Sequence, residues 1–142
     1  MKIGKLLVTV LTAAAVFSAG TWMARAQSQP PAEERLVVLW RSGDPELFHH
    51  ACYTFALNAK RFRWFEEVTV FVWGPSEKLL LEDAEIQAKV AKMRKAGVEV
   101  IAEIDPAIEY DIELELRKVV PVTILSQRLV EHLKNGSRVI TI

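Results

Sequence analysis

The chain has 142 residues, 51% hydrophobic and 25% charged, and its 18 basic side chains balance 18 acidic ones. That length admits one modest domain with a short extension. The even charge, without a basic stripe, gives no electrostatic basis for nucleic-acid binding, and a lone cysteine excludes an internal disulfide even in an oxidising compartment.

The N-terminal segment differs in kind from the rest. Residues 1–5 are short and basic, residues 6–20 are apolar apart from Thr9, Thr12 and Ser18, and Ala24-Arg25-Ala26 fits the small-x-small pattern before a cleavage point. This is the layout of a secretory signal peptide over residues 1–26, with cleavage expected between Ala26 and Gln27 and a periplasmic destination. The alternative is an uncleaved anchor, since the uncharged run 6–23 sits at the lower limit of a spanning helix. In that case this segment is the expected contact with the membrane. The basic region has no twin arginine, and no cysteine lies near Ala26 to carry a lipid. Lys2, Lys5 and Arg25 belong to the leader, so the remainder carries 15 basic against 18 acidic residues, a net charge of −3. Residues 27–34 read as a polar, proline-containing linker, and the folded domain is expected over 35–142.

Within that domain, residues 36–40 are a continuous apolar run, the pattern of a strand buried on both faces. Asp44 then offers an N-cap and Pro45 a first helical residue, which starts a helix of about 45–61. Its apolar stripe is Phe48, Ala51, Cys52, Phe55, Ala56 and Ala59. A second strand spans 68–73 and is broken by Gly74-Pro75, after which Ser76 is expected to cap a helical stretch over 77–96, in one or two pieces. Gly97 is the expected stop. A third strand covers 98–104, a Glu-rich helix 108–119, a short fourth strand 121–125, a helix capped by Ser126 runs through 134, and a last strand covers 138–142. Strands alternating with helices imply an α/β fold: a three-layer α/β/α sandwich with a mainly parallel five-stranded sheet.

The ordered series Trp40 through Pro45 with its Ser-Gly-Asp-Pro turn, Asn58-Ala59-Lys60, Trp64, Glu67-Val68-Thr69, Trp73-Gly74-Pro75-Ser76, Leu79-Leu80, Asp83 and Ala96-Gly97-Val98 resembles the DsrE/DsrF-like family of sulfur-relay proteins. The resemblance covers nearly the whole domain. It implies the three-layer fold, assembly into homo- or hetero-oligomers, and a link to sulfur metabolism in which the active members carry a persulfide on a cysteine after the third strand. This chain departs from the pattern twice. It has a leader for export, and its corresponding loop, residues 100–107, contains no thiol.

Three groups of residues are candidates for chemistry. Cys52, with His49 three residues before it on the same flank, would be a persulfide carrier if its thiolate were exposed and its pKa lowered; the competing reading is core packing on the helical stripe. The pair His49-His50 does not easily share a metal, because adjacent helical residues diverge by about a hundred degrees, and no metal is expected. The strand-end loops form the third group, since open parallel sheets bind ligands beyond the carboxyl ends of their strands. That rule gathers Arg41, Ser42, Gly43 and Asp44 after the first strand and Trp73, Gly74, Pro75 and Ser76 after the second. Glu103 and Asp105 follow the third strand, near where the family's carrier cysteine would fall, and Ser126 and Gln127 follow the fourth. Backbone N–H groups at Ser42 to Asp44 and at Ser76 are placed to receive an anion; the bland reading is caps and turns. Trp40 and Trp73 would flank the rim. Glu103 and Asp105, two apart on one strand, would share a face. No GxGxxG or Walker sequence is present, so no nucleotide cofactor is expected.

These residues point to an exported, non-catalytic DsrE-like binding or assembly module associated with sulfur metabolism. The alternatives are a persulfide carrier using Cys52 and a small-molecule or anion binder at the strand-end loops. A homo-oligomer and a protein partner in sulfur metabolism are implied by the resemblance. Phe62, Trp64 and Phe65, crowding the end of the first helix, add a local reason for association.

Overall fold

The computed structural model describes residues 34–142. The expected leader, and all of the linker except Glu34, lie outside the described residues. Five strands, β1 (Arg35–Trp40), β2 (Glu67–Val72), β3 (Glu99–Glu103), β4 (Val122–Thr123) and β5 (Arg138–Thr141), form one all-parallel sheet in the order β4-β3-β2-β1-β5. The chain steps outward from β1 to β4, then returns across the sheet to lay β5 on the other side of β1. Right-handed crossovers therefore put the connections of the outward steps on one face and the return helix on the other.

The strand pattern builds two cores. Side chains alternate across a strand. Leu36, Val38 and Trp40 thus join Val68, Val70, Val72, Val98, Val100 and Ala102 on one face, while Val37, Phe71 and Ile101 point to the other. Burial on both sides explains why the first two strands read as unbroken apolar runs.

The first face is covered by α1 (Pro45–Leu47), a π-helical segment Phe48–Tyr53 and α2 (Thr54–Arg61), which run as one rod, and by α3 (Pro75–Glu82), α4 (Ala84–Lys95), α5 (Ile104–Glu109) and α6 (Glu113–Val119). Phe48 inserts against Trp40 with ring centroids 4.5 Å apart, both rings fully buried, a contact worth more than its area alone. Among the described residues, the second face is covered by a single helix, α7 (Leu125–Lys134), whose Leu125 and Leu129 meet Val37, Phe71 and Ile101. One helix is about 10–12 Å wide, and five strands span about 20 Å. The described residues therefore leave part of this face uncovered.

Several local expectations are corrected. The long first helix contains the π segment, where the Thr54 hydroxyl donates to the His49 carbonyl five residues back. The stretch 77–96 takes the two-piece form allowed for it, as helices joined at Asp83, whose carboxylate accepts the N–H groups of Glu85 and Ile86. Helix 108–119 is also two, α5 and α6, separated at Asp111 with φ of 57°. The third strand stops at Glu103 because α5 begins at once, and the fourth is only Val122–Thr123. Among the described residues, no helix is long and apolar enough to cross a membrane.

Candidate functional site

The carboxyl ends of the strands bring the first two loops together, and backbone bonds staple them. The Trp40 carbonyl accepts from Trp73 N–H at 3.0 Å and from the Ser76 hydroxyl at 2.7 Å. The same Ser76 oxygen accepts Trp73 N–H at 3.0 Å. Ser76 is thus a fully buried clasp inside α3, not the expected cap, and the N-cap position is Gly74. Gly74 has φ of 74°, which suits glycine. Gly43 lets the loops close: a Cβ there would lie 3.3 Å from Pro75 Cβ.

Of the N–H groups expected to receive an anion after β1, those of Ser42 and Asp44 have internal partners. Arg41 and Ser42 donate to the Ile142 carbonyl at 2.8 and 3.3 Å. Asp44 N–H donates to the Ser42 hydroxyl at 3.0 Å, and the Asp44 carboxylate accepts Glu46 N–H at 2.8 Å as the cap of α1. Of this group, the Arg41 side chain stays exposed. It borders an apolar groove of about 330 Å³ with Leu39, Trp73 and Leu129. Trp73 is half-buried at this rim, whereas Trp40 lies wholly in the core, with no partner for its indole Nε1 among the described residues.

The expected Glu103–Asp105 pair does not form. Asp105 sits exposed in α5, because the strand ends one residue after Ala102 and the helix turns it away. Glu103 is 1% exposed and does structural work. One carboxylate oxygen accepts Ile104 N–H at 3.0 Å, and the other accepts Leu125 and Ser126 N–H at 2.8 and 3.0 Å. It therefore caps α7 in place of Ser126, satisfying donors that a helix start leaves orphaned at the end that favours negative groups.

Sequence reasoning missed the partner of Glu103. Glu77, on α3, is fully buried. One of its oxygens takes Gly74 N–H at 3.4 Å, and the other has no partner among the described residues. Burial pushes its carboxyl up to about 8, and the neighbouring Glu103 charge adds to the rise against the downward pull of the Gly74 and Glu103 N–H groups. Glu77 is thus held neutral at pH 7. The available signal was Gly74-Pro75-Ser76-Glu77, which has a Glu three residues after a helix start.

Cys52 lies inside the π segment and is fully buried among the first-face core. Burial pushes its thiol up to about 12, so the nucleophilic thiolate is strongly disfavoured. His49 is turned to α4, where Lys89 Nζ donates to its Nδ1 at 2.9 Å. His50 is exposed and pairs with Glu46 at 3.3 Å. The structure therefore places Cys52 in the core rather than in an activated pair. Among the described residues, no cluster of three or more His, Cys, Asp or Glu side chains is gathered for a metal.

No protein-family model and no curated protein matches the chain. A solved structure does: a conserved protein of unknown function from Bacteroides thetaiotaomicron, 24% identical, with a TM-score of 0.73 over 77% of this chain and 95% of that one. At that identity the likeness establishes the compact α/β fold and transfers no residue's role.

Proposed function

We propose that the chain is an exported DsrE-like protein that acts as a non-catalytic binding module associated with sulfur metabolism. Its ligand is a small anion with an apolar body, held at the strand ends. The observation that carries this reading is the groove of Leu39, Trp73 and Leu129 with the exposed Arg41 guanidinium at its edge. It lies at the carboxyl edge of a parallel sheet, beside the point where the strand order reverses between β1 and β5. An apolar wall fixes the body of a ligand, and a guanidinium selects an anionic head.

The carrier alternative is disfavoured by the same geometry. The chain's one thiol is buried and held protonated, and the loop after β3 carries Glu103 and Asp105 in place of a cysteine. The exposed rings of Phe62 and Trp64, 64% and 55% accessible, support association with a second copy or with another protein.

The test is thermal shift and calorimetry with butanesulfonate, which has an anionic head and an apolar tail, alongside thiosulfate as a bare sulfur anion. Butanesulfonate should raise the melting temperature of the parent protein and leave Arg41→Ala unmoved, with thiosulfate weaker. Equal binding by Arg41→Ala, or no binding of butanesulfonate, contradicts the proposal.

A further inference from the structure

The uncovered part of the second face holds a further cavity, at the opposite end of the sheet from the Arg41 groove. It has a volume of about 380 Å³ and lies between the starting ends of β1, β2 and β3 and the flank of α7. Its lining carries charge of both signs. Glu67 and Glu99 rise from the strands and Glu131 comes from α7, while Arg35 and Arg128 stand among them. A lone anion here meets three carboxylates, and a lone cation meets two guanidiniums. A molecule carrying both signs can satisfy each.

We infer that this cavity is a binding site for a small zwitterion, a carboxylate and an ammonium separated by a few carbons.

The arrangement of the charges supports such a ligand. Arg128 and Arg35 act together on His132, which α7 presents to the same cavity. Burial first, and then these two guanidiniums, push His132 below its usual value, against a weaker opposite pull from Glu99 and Glu67. Arg35 and Arg128 line the cavity beside His132 and offer partners to the ligand carboxylate, while Glu67 and Glu131 supply acceptors for the ammonium. Arg128 is not locked away. It pairs with Glu99 at 3.0 Å, but the two side chains are 34% and 50% exposed, and an ion pair so open to water contributes little. Its guanidinium can exchange to a ligand carboxylate, in the forked geometry that arginine favours, and so free Glu99 for the ammonium. Thr69, whose hydroxyl now donates to Glu99 at 3.2 Å, holds that carboxylate in place from the floor.

The test is an amide-shift titration of the full chain with three probes that share a four-carbon chain: 4-aminobutanoate, butylamine and butyrate. The zwitterion should bind at least ten-fold more tightly than either single ion, moving the amides of Thr69 and His132. Glu67→Gln and Arg128→Gln should each weaken it at least five-fold, with melting temperatures close to the parent's. The inference is overturned if butylamine or butyrate matches the zwitterion, if those amides do not respond to it, or if both variants bind it as the parent does.

Discussion

The two faces of the sheet show how differently one fold can be finished. On the first face, the helical rod 45–61 and four further helices seal a continuous apolar core that includes Trp40, Phe48 and Cys52. On the second, α7 is the one helix among the described residues that covers Val37, Phe71 and Ile101, and both cavities used in the functional arguments open beside it. The thick face supplies stability and hides the chain's only thiol. The thin face leaves charged and apolar side chains within reach of solutes. Both proposed binding sites lie where the cover is incomplete.

The largest effect should come from breaking the thick face. Phe48→Ala removes the ring that packs on Trp40 and should cost about 3–5 kcal/mol, whereas Leu129→Ala, at a half-buried site on the thin face, should cost about 1 kcal/mol. Urea denaturation of both variants checks this, and equal losses would mean the faces are equally sealed.

Next comes the attachment of α7 itself. Glu103→Ala leaves the N–H groups of Ile104, Leu125 and Ser126 without their acceptor and should cost about 2–4 kcal/mol, with Glu103→Gln milder. Amide exchange at Leu125 and Ser126 should quicken first, because the cap is local to that helix.

A third stability effect distinguishes the two buried glutamates and depends on pH. Glu77 holds its proton up to about 8 when folded, against an ordinary value of 4.5. The unfolded chain releases that proton first, so this group's contribution is complete below about pH 4.5 and is lost as pH rises to about 8. Glu77→Gln removes the loss and keeps the acceptor for Gly74 N–H. The variant should therefore equal the parent near pH 4 and exceed it by a margin that grows as pH rises to about 8 and then levels off. Identical pH profiles would show that Glu77 finds a partner for its second oxygen.

Much of this frame was legible in the sequence. The apolar runs at β1 and β2, the Asp44-Pro45 start and the Gly74-Pro75 break located the first half of the fold, because each rests on local chemistry. The shared stripe of Phe48, Cys52 and Ala56 also anticipated that the thiol packs inward. What failed was decided by contacts between distant segments. Ser76 and Ser126 looked like caps, yet Ser76 is drawn to the Trp40 carbonyl 36 residues away, and α7 is capped by Glu103 from another strand. The short fourth strand was legible as such, but its bounds were read too long, since β4 is only Val122–Thr123. Glu77 reads as an ordinary first-turn acid, and only the closure of loops over it makes it a buried one. The zwitterion cavity draws on β1, β2, β3 and α7 at once, which no local window contains.

The most direct test of the central claim, that this is a binding module and not a sulfur carrier, is an intact mass of the folded protein after incubation with polysulfide, with Cys52→Ala in parallel. The buried, protonated thiol predicts an unchanged mass in both proteins, with modification of Cys52 appearing only after denaturation. A stable one-sulfur addition to the folded parent, absent from Cys52→Ala, would contradict the account and make Cys52 the carrier.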